Sequence, residues 1–150
     1  MARFDAGMSP QSHTLALARN PIMAGPARAG LFIYARNLAA LAGFYEKLLG
    51  LARVRSTDEL VILSSADLQI VVHALPDHVA GEADTSLPPV LRDKAAFKFF
   101  YTVPSLAQAQ AMAGSLGGQV LPEQWRGPNF IVRNAVDPEG NIFQLREITP

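Results

Sequence analysis

The chain has 150 residues, with 13 basic and 13 acidic side chains and a formal net charge of zero. Hydrophobic residues make up 49% and charged residues 17%, the balance of a globular protein with one domain, or two small modules on a shared core. Without a basic surplus there is no electrostatic footprint for nucleic acid; without a single cysteine, disulfide scaffolds, thiol catalysis, iron–sulfur clusters and thiolate zinc sites are excluded.

No apolar run approaches the ~20 residues of a membrane-spanning helix. Residues 1–27 are short on acids, rich in Ala, Pro and Gly, and lack the continuous apolar core of a secretory signal. A disordered leader on a cytoplasmic protein is the expectation, with Met23 as an alternative start.

Residues 30–36, "GLFIYAR", combine aromatic and branched side chains in a short apolar run, which predicts a strand. Asn37 is suited to cap the helix "LAALAGFYEKLLG", in which Leu38, Leu41, Tyr45 and Leu48 follow helical spacing and Gly50 supplies the stop. Three strands are expected next, around 51–56, 59–64 and 67–74. Residues 76–95 are rich in Pro, Asp and Gly and read as a linker. Then the order repeats. "FKFFYTV" (97–103) reads as a strand, Ser105 caps "LAQAQAMAGSLGG", and strands follow near 118–121, 129–136 and 141–147.

Sliding the chain against itself from Asn37 to Ser105 also places Phe32 on Phe100 and Gly50 on Gly118. A second alignment pairs "LQI" (68–70) with "FQL" (143–145). Two copies of β-α-β-β-β account for this pattern, and each copy needs the other to bury its sheet. The domain then runs over 28–148, as module one (28–75), the linker (76–95) and module two (96–148).

The stretch "NLAALAGFYEKLLGL" (37–51) resembles the Asp-Leu…Phe-Tyr…Leu-Gly signature of the vicinal oxygen chelate superfamily, which contains glyoxalase I, extradiol dioxygenases and bleomycin-resistance proteins. "DPEGNIFQLRE" (137–147) resembles its closing turn and last strand. The resemblance implies an α+β fold in which two tandem βαβββ modules form a curved eight-stranded mixed sheet around a central cavity. In metal-dependent members, four ligands, mostly His and Glu, project inward from the first and last strands of each module.

Carried over residue by residue, those four positions fall on Gly30, Lys98, Gln69 and Gln144. None is His, Asp or Glu. A divalent ion needs anionic or imidazole donors; an amide oxygen is an auxiliary ligand, and an ammonium repels the ion. The usual metal site therefore reads as dismantled, and no metal or other cofactor is expected. His73, His78 and Glu82 have a spacing that suits neither a helix face nor one strand face. Asp137 and Glu139 belong to a turn with a conformational explanation.

Strand alternation supplies a cavity list. Phe32 and Tyr34 follow Gly30; Phe100 and Thr102 follow Lys98; Val71 and His73 follow Gln69; Ile142 and Arg146 flank Gln144. Trp125, in the loop "PEQWRGPNF", is placed at the rim. Lys98, if buried and unpaired, is a candidate base.

These residues describe a metal-independent small-molecule binding protein of the glyoxalase/bleomycin-resistance type, with a small aromatic or carbonyl-bearing ligand and a homodimeric assembly. The alternative is a lyase, isomerase or dioxygenase-like enzyme acting on a carbonyl or vicinal-oxygen substrate, metal-free or with a displaced metal, using Lys98, Tyr34 and His73 as acid–base groups. A third reading is an accessory protein whose cavity is filled by its own side chains. Neither nucleic acid nor membrane is an expected partner.

Overall fold

The computed structural model describes residues 27–76, 78 and 88–150. The expected leader, apart from residue 27, lies outside the described residues, as does the linker over 77–87 (His78 excepted), including Glu82.

Strand β1 (Gly30–Ala35) leads into helix α1 (Leu38–Leu49), followed by β2 (Ala52–Ser56), β3 (Leu60–Ser64) and β4 (Gln69–Ala74). Module two repeats the order as β5 (Phe100–Thr102), α2 (Leu106–Ser115), β6 (Gln119–Arg126), β7 (Phe130–Val136) and β8 (Ile142–Ile148). The tandem βαβββ architecture is thus present. Hydrogen bonding joins the strands as two four-stranded sheets, ordered β1-β4-β3-β2 and β5-β8-β7-β6. The sheets are not closed into a barrel. In each, the first and last strands of the module pair in parallel and the other pairs are antiparallel.

The helix boundaries follow from their caps. Asn37 has an extended backbone, and its side-chain oxygen accepts from the Ala40 N–H at 3.0 Å; Ser105 does the same for Gln108 at 3.2 Å. Gly50 ends α1 at φ 63°, a left-handed conformation that costs other residues strain. Helix α1 turns Leu41, Ala42, Phe44, Tyr45, Leu48 and Leu49 inward, onto β3 and β4 and toward α2. Together with Val61, Leu63, Ile70, Val72, Phe143 and Leu145 they form the core.

The modules are tied by a polar bond inside that core. Tyr45 donates its hydroxyl to Asp137 Oδ2 at 2.7 Å, and both residues are buried. Asp137 also accepts from the backbone N–H groups of Glu139 and Asn141 and from the Asn141 side chain. Glu139 in turn accepts from the Asn37 N–H at 2.8 Å, so the closing turn of module two caps the helix of module one. The Asp-Pro-Glu-Gly turn is therefore a structural joint.

Three expectations need correction. Strand β5 begins at Phe100, so Lys98 precedes it, although β8 runs back to Ile142 and the Phe99 carbonyl still accepts from the Gln144 N–H at 2.9 Å. Trp125 lies in β6 rather than in a loop, because β6 runs on past an irregularity between Val120 and Gln124 and pairs again with β7. Third, the two modules differ in register. Phe32 is opposite Val71, whereas its helix-aligned counterpart Phe100 is opposite Gln144. Gln144 thus corresponds to Val71, and Arg146 to His73. The apparent equivalence of Gln69 and Gln144 is displaced by one strand period.

Candidate functional site

Each sheet has one face against the helices and one face away from them. Along β1, Leu31, Ile33 and Ala35 turn to the core, while Phe32 and Tyr34 stay 52% and 54% exposed. The same alternation puts Gln69, Val71 and His73 of β4, and Gln144 and Arg146 of β8, on the helix-free face beside Phe100 and Thr102 of β5. The parity expected from the sequence is the parity observed.

In module one, three rings cluster on this face. Phe32 stacks on His73 with centroids 5.8 Å apart and planes at 24°, and Tyr34 sits edge-on to both, at 5.2 Å from Phe32 and 6.0 Å from His73. His73 Nδ1 is 2.7 Å from the carbonyl oxygen of Ala74. A carbonyl only accepts, so Nδ1 donates in this contact, and Nε2 makes no hydrogen bond to a described residue.

In module two, the Arg146 guanidinium lies 3.5 Å from the Phe100 ring centroid and 4.7 Å from that of Phe130. Gln144 donates its side-chain amide to Asn134 across the strands at 3.5 Å, a weak contact. Thr102, Arg146, Val132 and Trp125 are successive cross-strand neighbours, one row across the face. Phe130 and Asn134 were missed by sequence reasoning, though the alternation of β7 carries them to this face once its pairing with β8 is known.

Where β1 approaches the segment before β5, a cleft of about 200 Å³ opens, lined by Phe32, Lys98, Phe99 and Ile142 among others. Lys98 is exposed there, so the burial that would make it a candidate base is not met. Beneath the cleft lies the buried pair of Tyr45 and Asp137; the Tyr45 phenol is raised well above its usual range, first by burial and then by the charge of Asp137. Tyr45 backs the floor of this cleft, but its hydroxyl is already held by Asp137 and its surface is buried.

The positions at which the superfamily holds a metal do not fit one. Gly30 and Gln69 face each other in register but offer no side chain and one amide. Lys98 carries an ammonium, and Gln144 offers only an amide oxygen, its amide nitrogen making the weak contact to Asn134. Among the described residues no group of three His, Asp or Glu side chains is placed to bind an ion; His78 is exposed.

A family model for the glyoxalase-like domain matches residues 30–146. Among solved structures, a glyoxalase/bleomycin resistance protein/dioxygenase family enzyme from Burkholderia phytofirmans PsJN is similar at TM-score 0.59 and 17% identity, covering 79% of this chain and 96% of that one. A glyoxalase/bleomycin resistance protein/dioxygenase from Alicyclobacillus acidocaldarius is similar at TM-score 0.55 and 20% identity, covering 88% and 96%. The fosfomycin resistance protein FosX from Listeria monocytogenes follows at TM-score 0.58 and 14% identity, covering 80% and 89%. At these identities the likeness is one of fold. No curated protein matches the chain.

Proposed function

The chain belongs to the glyoxalase-like domain family, and from that premise we propose that it is a metal-independent binding protein for a small aromatic or carbonyl-bearing molecule. The observation that carries the reading is the helix-free face itself. It keeps Phe32, Tyr34 and Phe100 about half exposed beside a small set of polar groups, His73, Gln69, Thr102 and Arg146. Large apolar rings exposed next to convergent polar groups are what small-molecule sites are made of. The family's metal positions, by contrast, present a glycine, an ammonium and two amides, which leaves a bound ion without charge compensation. A homodimer belongs to this reading, a second copy completing the walls of an otherwise open face. So does a cytoplasmic location, in keeping with a chain that has no cysteine and no described helix long and apolar enough to cross a membrane.

One observation favours an enzyme as the second reading. His73 is pinned through Nδ1, stacked on Phe32, and left with an Nε2 that bonds no described residue, which is how an imidazole base is usually held. In that case the substrate is a carbonyl or vicinal-oxygen compound, and Tyr34 is the accompanying acid.

The test is a thermal-shift panel of small aromatic and carbonyl compounds, run with and without excess EDTA. Binding predicts concentration-dependent stabilisation that the chelator leaves unchanged. Loss of every shift in EDTA contradicts metal independence. Turnover of a stabilising compound, abolished by His73→Asn, replaces the binding reading with the enzymatic one.

A further inference from the structure

We propose that Arg146 anchors an oxyanion seat on the helix-free face of module two, and that its ligand is a small planar aromatic carboxylate. The inference rests on the ligand-binding reading above and names the chemical class. The central carbon of the guanidinium lies over the Phe100 and Phe130 rings, 3.5 Å and 4.7 Å from their centroids. A guanidinium stacked on rings has its in-plane N–H groups left for hydrogen bonding, and these form a fork matched to a carboxylate. Nε is buried and has no hydrogen-bond partner. The terminal nitrogens have no acceptor among the described residues either, yet they are not enclosed. The ion pair found among those residues, Arg53 with Glu46, is elsewhere. Arg146 is thus a cation already partly stripped of water and given no anion among the described residues, so an arriving carboxylate has less desolvation left to overcome.

The surroundings suit an acid with a flat apolar body. Thr102, exposed on the edge strand β5, is the immediate cross-strand neighbour of Arg146, its backbone about one strand spacing, ~5 Å, away. On the other side the row continues through Val132 to Trp125, which is 45% exposed. Rings at Phe100 and Trp125 favour a planar aromatic body over a hydrated inorganic ion.

Trp125 is the chain's single tryptophan, so its fluorescence reports on this face alone. Benzoate, benzamide and inorganic phosphate are titrated into the full chain at constant ionic strength. Benzoate is expected to give a saturable change with an affinity at least about tenfold above that of benzamide, the charge-assisted fork being the difference. Phosphate is expected not to saturate. Arg146→Gln and Arg146→Lys each lower benzoate affinity about tenfold or more, the lysine because it keeps the charge and loses the fork. Thr102→Val, an exposed edge position, lowers it a few-fold and covers the case in which an Arg146 variant fails to fold, as checked by circular dichroism. Equal affinity for benzoate and benzamide, phosphate binding as tightly as benzoate, or an Arg146→Lys protein that binds like the parent overturns the proposal. If neutral aromatics bind and benzoate does not, this inference fails while the ligand-binding reading stands; if none of the three binds, this inference fails, and the ligand-binding reading is decided separately by the thermal-shift panel.

Discussion

Tyr45→Phe removes one hydroxyl from the joint between the modules and nothing else. In the parent chain that hydroxyl donates to Asp137 Oδ2 at 2.7 Å in a fully buried setting. A buried hydrogen bond to a charged acceptor contributes about 1.5–3 kcal/mol. Asp137 keeps three other donors, from Glu139 and Asn141, so its charge is not left bare. The expected loss is therefore toward the middle of that range, about 2 kcal/mol. For a chain of this size that lowers Tm by about 4–8 °C. Urea unfolding followed by far-UV circular dichroism measures it, and Tyr45→Phe should leave the m-value unchanged. The pH dependence is a second, independent signature. The folded-state pKa of Tyr45 is raised by burial and by Asp137, so its contribution is fully present below the unfolded value of about 10 and is lost as pH rises toward the folded one. The parent should lose about 1.4 kcal/mol per pH unit above pH 10 on this account, and the phenylalanine variant should not. A loss under about 0.5 kcal/mol, or parallel alkaline profiles in the two proteins, refutes the claim that this bond holds the modules together.

Gly118→Ala should cost about 1–3 kcal/mol in the same assay, because a Cβ there collides with the Val136 carbonyl oxygen and the Phe44 ring. Asn37→Ala removes the cap on α1 and should cost about 1 kcal/mol. Phe32→Ala, on the half-exposed face, should change stability by less than about 1 kcal/mol and still weaken any compound found in the thermal-shift panel; a large stability loss with binding intact would make Phe32 a core residue instead.

Much of the fold is legible in the sequence because its signals are local. Asn37, Ser105 and Gly50 mark helix ends by side-chain and backbone chemistry that acts within three or four residues. The shared face of the site side chains was also legible, since a strand's period of two follows from the pleat and the core residues Leu31, Ile33, Ile70 and Val72 fix the parity; the cavity they were expected to line is an open face, with Phe32 and Tyr34 half exposed. Register was not. Shifting a strand by two residues keeps every side chain on its face, so Gln69 and Gln144 look equivalent in sequence although Gln144 sits where Val71 does. The Tyr45–Asp137 bond spans 92 positions, and no periodicity announces a contact at that range. Phe130 against Arg146 and Trp125 within β6 likewise depend on which strands pair, which is a property of the sheet and not of any window of the chain.

The central claim, that this glyoxalase-like domain works without the ion that the metal-dependent members of its superfamily hold, is tested most directly by metal analysis of the purified full chain. The protein is incubated with nickel, zinc, manganese or ferrous iron, desalted, and measured by inductively coupled plasma mass spectrometry. The account predicts metal well below one equivalent per chain in every case, because Gly30, Lys98, Gln69 and Gln144 give an ion no anionic or imidazole donor. One equivalent per chain, retained through desalting and removed with a loss of thermal stability by EDTA, contradicts it.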